Sequence, residues 1–364
     1  MGARTVIAAL LGLSLAPGMT SCTGAEESEG PMRVVVLGDS LTHGSSGDWT
    51  WRYFLHQQLL AGGADVEFVG GRTGVADDPP DEWGESKTPE DAIAYADSNF
   101  DSDHHSVWGD SVTLGTSTPS AVMAQHDPDV VVYALGWNDL TWLRVDPQQL
   151  LSEVQAQVVE FRAANPSVRI VIAQAMVDVA HWSQFPVAEY NRLLLQSAPS
   201  WSTAESPVAV ATVPADLQAV GKGEERDTWD GAHPDTSGQV KIASQVADAL
   251  AEVGVGSGHD PSLVVPTEGL RSSSTLKVKY PAGDPTSARL AWVGPPGATG
   301  HDVWMALDDG DYTQVARDVR TAGHKVTGLE PGHRHTFKVI ARKHAVRSAD
   351  DQFSTPVSVV ARPG

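Results

Sequence analysis

Val34-Val35-Val36-Leu37 runs without a polar side chain into Gly38-Asp39-Ser40. A short, mostly β-branched run closed by turn residues predicts a strand buried on both faces, as in a parallel sheet. The pattern returns in Asp129–Leu135, which leads into Gly136-Trp137-Asn138-Asp139, and in Val168–Ala173. Shorter runs stand at Val66–Val69 and Val208–Thr212. Between the runs, apolar residues recur at helical spacing. They are Trp51, Phe54, Leu55, Leu59 and Leu60 in Trp49–Ala61, and Leu151, Val154, Val158 and Phe161 after Pro147. Pro186–Ser197 is amphipathic, and Thr236–Val253 turns Val240, Ile242, Val246 and Leu250 to one side. Strands alternating with helices predict a single α/β domain.

A chain of 364 residues has room for a second domain. Charge marks the division. Arg33–Glu252 holds 11 Lys/Arg against 32 Asp/Glu, a net of −21, whereas the chain from Val253 onward holds 13 against 11, a net of +2. An acidic surface argues against nucleic acid and against electrostatic docking on anionic lipid. Gly254–Gly258 is Gly/Ser-rich and predicts a flexible linker. Beyond it, Ala288–Trp292 and His335–Ala341 alternate apolar and polar residues, with turn signals at Gly294-Pro295-Pro296-Gly297, Asp308-Asp309-Gly310 and Glu330-Pro331-Gly332. Such short strands predict a β-sandwich.

Arg4 and the apolar stretch Val6–Ala16 predict an export leader. The only cysteine, Cys22, follows in Met19-Thr20-Ser21-Cys22, which resembles a bacterial lipobox with methionine in the usual leucine place. The expectation is a lipoprotein-type leader over 1–22 with Cys22 lipidated, and an extracellular protein anchored to the outer face of the membrane. Residues 23–32 predict a disordered tether, 33–254 the α/β domain, 255–264 the linker and 265–364 the sandwich.

Residues 72–106 are the least regular. Asp97, Asn99, Asp101 and Asp103 alternate as a calcium loop does, but no glycine or closing glutamate follows in the required places. A solvated acidic loop is the reading, His104 and His105 are loop residues, and no metal ligands are assigned. Nine of the eleven tryptophans lie before the linker, among them Trp49, Trp51, Trp108, Trp137, Trp142, Trp182 and Trp229. They suit core packing, or platforms for sugar rings or acyl chains.

Four pieces stand at the ends of elements: Gly38-Asp39-Ser40, Gly109-Asp110-Ser111, Gly136-Trp137-Asn138-Asp139 and Asp230-Gly231-Ala232-His233. Each alone reads equally as a turn or helix cap. Together they supply what acyl transfer requires. A serine hydroxyl needs a base, and an imidazole ordinarily titrates near ~6.5. Asp230, three residues before His233, can hold and orient the ring. The Ser40 N–H, the Gly109 N–H and the Asn138 amide can receive an oxyanion. Gly70 and Gly71 compete with Gly109 for that role.

These blocks resemble those of the SGNH hydrolases of the GDSL esterase/lipase group. Gly38-Asp39-Ser40-Leu41 is similar to the first block, Gly136–Asp139 to the third and Asp230–Pro234 to the fifth. Trp108 departs from the small residue usual in the second. The resemblance implies a flavodoxin-like three-layer α/β/α fold with Ser40 as nucleophile, His233 as base and Asp230 as its partner. Gly109 and Asn138 would complete the oxyanion hole, and no cofactor or metal is implied. Leu37–Gly71 looks most like the acetylxylan-esterase-like branch. The final hundred residues resemble a fibronectin type III module through Trp292 and Gly328–Ala341, with His335 in place of the corner tyrosine. No catalytic role is implied for that module.

The expectation is therefore an exported, monomeric serine esterase whose substrate is an acylated polysaccharide, with acetyl as the acyl group. One alternative is a lipase-like or general carboxylesterase acting on longer acyl chains. Another is a non-catalytic surface carbohydrate-binding or adhesion protein.

Overall fold

The computed structural model describes residues 2, 30–76, 95–116, 118–176, 185–218, 227–263, 270, 272–279, 284–344 and 346–361. The leader, Cys22 and Trp182 lie outside them.

Strand β1 is Met32–Gly38, β2 Val66–Val69, β3 Val130–Ala134, β4 Arg169–Ala173 and β5 Val208–Ala211. They form one parallel sheet in the order β2-β1-β3-β4-β5. Alternation along β1 divides the core. Val35 and Leu37 point to one face and Val34 and Val36 to the other, all fully buried. On the first face lie α3 (Pro119–His126), α5 (Pro147–Ala164) and α6 (Val187–Ser197), which supply Val122, Val154, Val158, Tyr190 and Leu194. On the second lie α2 (Trp51–Ala61) and α7 (Thr236–Glu252), which supply Phe54, Leu55, Leu59, Val246 and Leu250. Three layers result, as the resemblance implies. One-turn helices α1 (Ser40–His43) and α4 (Trp137–Thr141) begin just past β1 and β3.

Helix entries follow from local chemistry. The Asp146 carboxylate accepts from Gln148 and Gln149 N–H beside Pro147, and the Asp235 carboxylate accepts from Ser237 and Gly238 N–H. Leu60, expected inward, is 52% exposed.

The segment expected to be a flexible linker is packed. Val255 is buried and its N–H donates to Leu250 O at 2.9 Å. Asp260 N donates to Gln58 Oε1 at 2.6 Å, and His259 Nδ1 lies 2.9 Å from the Asp248 carboxylate. Composition signals freedom there, but one apolar anchor and three hydrogen-bonding side chains remove it.

The second domain holds β6 (Thr275–Lys279), β7 (Ser287–Val293), β8 (Gly300–Leu307), β9 (Thr313–Val319), β10 (Gly323–Thr327), β11 (Arg334–Lys343), β12 (Val346–Arg347) and β13 (Val357–Val360). One antiparallel sheet is β10-β7-β6, and the other joins β9, β8 and β11, with β12 and β13 both pairing with β11. Trp292, Val303, Phe337 and Val339 fill the space between them. This is an all-β, fibronectin type III-like sandwich. His335 is buried, and its Nε2 accepts from Glu330 N–H at 3.1 Å, a hydrogen bond in place of the missing corner tyrosine. Among the described residues no helix is long and apolar enough to cross a membrane.

Candidate active site

In a parallel sheet of order 2-1-3-4-5 the direction of winding reverses between β1 and β3, and a crevice opens outside their carboxyl ends. Ser40 follows β1 and Asn138 follows β3, so both stand at that crevice. Asp39 turns the chain. Its Oδ1 accepts from Leu41 N–H at 2.9 Å and caps α1, which places Ser40 at the first helical position.

His233 Nε2 lies 2.9 Å from Ser40 Oγ, across 193 residues of sequence. His233 Nδ1 lies 2.7 Å from Asp230 Oδ2. Asp230 Oδ1 accepts from Ala232 N–H at 2.9 Å and His233 N–H at 2.8 Å, so this carboxylate shapes its own turn, with Gly231 at φ 101°. Burial pushes the Asp230 carboxyl upward, but the hydrogen bond and charge of His233 and the two backbone N–H groups outweigh it and hold it at about 2. The imidazole is sandwiched between indoles. Trp108 stacks on it at 4.7 Å and 20°, and Trp229 at 4.9 Å and 15°. The negative faces of both rings attract positive charge developing on the imidazole.

The second and third blocks are tied to each other. Asn138 Nδ2 donates to Asp110 O at 2.8 Å, which leaves its second N–H for another acceptor. The fully buried Asp139 accepts from Val112 and Thr113 N–H, each at 2.9 Å. Asp110 N donates to Val107 O at 3.1 Å across a turn in which Gly109 takes φ 78°. A glycine is required there for its backbone freedom. Among the described residues, neither the Ser40 nor the Gly109 backbone N–H has a hydrogen-bond partner. Gly70 has another use, since a Cβ there would lie 2.1 Å from the His104 backbone.

Several buried polar groups fix this arrangement. His43 Nδ1 accepts from Trp108 N–H at 3.1 Å, which anchors the Gly109 turn. Burial, aided by the Arg52 and Arg72 charges, pushes the His43 ring down to about 3, so it stays neutral and able to accept. His104 is fully buried and well below the ordinary range for the same first reason, with Nε2 2.9 Å from Gly74 O and Nδ1 accepting from Ser106 N–H. Burial pushes the Asp39 carboxyl up to about 7, against the Leu41 N–H and the His233 charge, which lower it.

Arg52, on the buried side of α2, has no exposed surface. Its Nε donates to Thr42 O at 3.0 Å, Nη2 to His43 O at 3.1 Å and to Tyr95 Oη at 2.9 Å, and Nη1 to Ser102 O at 3.0 Å. It thus caps the carboxyl end of the helix that begins with Ser40. This residue is not singled out in the sequence analysis. An arginine on the inward stripe of a helix was the available signal.

The acidic loop holds no metal cluster among the described residues. Asp97 Oδ1 accepts from Asn99 N–H, and Asp101 Oδ2 accepts from Phe68 N–H. Of the tryptophans, Trp49, Trp51, Trp137 and Trp229 are buried, while Trp142 is 64% exposed beside α4.

The family described as GDSL-like Lipase/Acylhydrolase matches residues 34–246. Among solved structures, the chain is similar to a carbohydrate esterase family 3 protein from Talaromyces cellulolyticus. Identity is 24%, 61% of this chain and 97% of that chain are covered, and the TM-score is 0.45. For a Clostridium thermocellum family 3 carbohydrate esterase the figures are 21%, 61%, 96% and 0.46. An Fn3-like protein from Clostridium thermocellum matches 24% of this chain over 88% of its own, at 22% identity and a TM-score of 0.21.

Arg52→Lys keeps the charge but loses the planar fork, leaving buried carbonyls short of donors. The substitution is expected to cost roughly 2–4 kcal/mol, read from urea unfolding with an unchanged slope. A loss below about 0.5 kcal/mol would show that the fork does not hold these carbonyls.

Proposed function

The chain belongs to the GDSL-like lipase/acylhydrolase family and is a hydrolase of ester bonds, and from that premise we propose that it is an exported serine esterase that removes short acyl groups, acetyl above all, from a polysaccharide. The observation that carries the mechanism is the unbroken chain Ser40 Oγ–His233 Nε2 at 2.9 Å and His233 Nδ1–Asp230 Oδ2 at 2.7 Å. As Ser40 Oγ bonds to the ester carbonyl carbon, its proton passes to His233 Nε2. Asp230 stabilises the imidazolium and does not itself take the proton. The carbonyl oxygen becomes an oxyanion, and the unpartnered Ser40 and Gly109 N–H groups and the second Asn138 N–H are the donors for it. The oxyanion then re-forms the carbonyl as the bond to the alcohol oxygen breaks, His233 returns its proton to that oxygen, the alcohol leaves, and the acyl group stays on Ser40. Water then repeats the cycle through the same imidazole and releases the acid.

What supports a short acyl group is the likeness of Leu37–Gly71 to the acetylxylan-esterase-like branch. What supports a polymer is Trp142, an exposed indole four residues beyond Asn138, of a shape that suits a sugar ring. Export and lipidation at Cys22 rest on the leader alone. An apolar cleft along the carboxyl ends of β3, β4 and β5, bounded by Leu41, Leu135, Trp137, Met176, Val213 and Ile242, favours a second reading. In that reading it receives a longer acyl chain.

Hydrolysis of p-nitrophenyl acetate, p-nitrophenyl octanoate and acetylated xylan by the purified protein decides between them. Acetate release from xylan, reduced about 10⁴-fold or more in Ser40→Ala, is the expected result. A preference for octanoate would select the second reading, and no turnover of any ester would leave a binding protein.

Activity should fall as pH drops from 8 to 5, because an imidazolium cannot accept the Ser40 proton. Asp230, held at about 2, stays ionised throughout and adds nothing to this limb. Asp39 titrates nearby at about 7, so the limb should persist in Asp39→Asn. A rate flat from pH 8 to pH 5 would contradict a base at His233.

A further inference from the structure

The resemblance of the C-terminal sandwich to a fibronectin type III module implies no part in chemistry, yet its β11–β12 hairpin ends against the candidate active site. Lys343, the last residue of β11, has a side chain only 6% exposed. Its Nζ donates to Ser45 Oγ at 2.8 Å, Ser46 O at 2.9 Å and Asp48 Oδ1 at 2.8 Å. Asp48 Oδ2 in turn accepts from Ser45 N–H at 2.8 Å and Ser45 Oγ–H at 3.1 Å. These residues form the loop directly after the helix that begins at Ser40. The two backbones meet without side chains between them. A Cβ on Gly297 would lie 2.0 Å from Ser46 O, and one on Gly47 would lie 2.5 Å from Pro296 O.

The next residue continues the contact. The His344 ring stacks on Trp229 at 4.6 Å and 21°, and Trp229 stacks on His233. With Trp108 beyond, four rings stand in one column: His344, Trp229, His233, Trp108. Lys343 Nζ also lies 5.0 Å from the centre of the Trp229 ring. His344 occupies the first loop position of the hairpin with φ 47°, a conformation that glycine adopts freely and a side chain adopts at a cost. Its N–H donates to Thr299 Oγ1 at 2.6 Å.

We propose that the C-terminal module completes the active site, with His344 and Lys343 as positioning residues that fix the Trp229 indole and, through it, the plane of the His233 imidazole. The module is then part of the wall of the site. This rests on the reading of His233 as the base.

The test uses the full chain with His344→Gly and His344→Phe. Glycine removes the ring and relaxes the backbone, whereas phenylalanine keeps a ring and strains the backbone further. Rate and stability should therefore move in opposite senses. In His344→Gly, kcat for p-nitrophenyl acetate should fall about 3- to 10-fold with KM little changed and Tm not lowered. His344→Phe should keep kcat within about threefold while its Tm does not rise. Wild-type kcat in His344→Gly would overturn the proposal, as would a loss in both variants that follows Tm. A second readout does not depend on turnover. The carbon-bound ring protons of His233 lie between two indoles, and their NMR resonances should shift in His344→Gly and return in His344→Phe. Resonances that stay fixed would overturn the proposal. Absent Ser40-dependent turnover in the wild type would count against the esterase reading alone.

Discussion

Every group in the site depends on the carboxyl edge of a five-stranded parallel sheet whose order turns back between β1 and β3. Backbone pairing makes that edge rigid, and the divergence of the two crossovers leaves it open to solvent. Ser40 and Asn138 each stand there within a few residues of the end of a central strand. Helix α7 then starts where Asp230 and His233 have just crossed the same edge. No flexible loop has to close for Ser40, His233 and Asp230 to meet, because each is tied to a strand end or a helix start. Preorganisation of this kind is what lets hydrogen bonds act on a reacting centre without reorganisation during the reaction.

Electrostatics around the edge follow one pattern. Groups that only hold the backbone are kept neutral by burial, as His43 and His104 are, and so serve as acceptors and donors of fixed direction. The buried cation Arg52 faces carbonyls at the end of α1, where the helix dipole favours positive charge. The Asp230 carboxylate is held strongly ionised, and it faces the imidazole. Its Oδ1 is engaged by the turn and its Oδ2 by Nδ1, so the ring has one orientation. The indoles on either side fix the remaining rotation.

The sequence made the sheet legible because buried parallel strands are nearly pure Val, Ile, Leu and Ala, and the motif ends mark their edges. Val34–Leu37 and Val168–Ala173 needed no further context. The candidate site was legible because acyl transfer needs particular groups, and Ser40, Asn138 and Asp230-Gly231-Ala232-His233 each stand where an element ends. What escaped depends on contacts that spacing does not encode. Helix α3 is eight residues of weak amphipathicity, and α1 and α4 are single turns. The residues after α7 carry a linker's composition, but Val255 and Gln58 pin them down. Lys343 reads as one more charge on a strand until its partners, Ser45 and Asp48, nearly 300 positions earlier, come into view. Separation along the chain also hides the use of Trp229, whose second face is covered by His344 of the other domain.

We propose that His233 activates Ser40. The most direct measurement is reaction of the intact protein with a fluorophosphonate, followed by mass mapping of the labelled peptide, in wild type and in His233→Ala. Activation of Ser40 by His233 requires a single adduct on Ser40 in the wild type and a labelling rate lower by orders of magnitude in His233→Ala. An adduct on another residue, or equal labelling of Ser40 in both proteins, would contradict it.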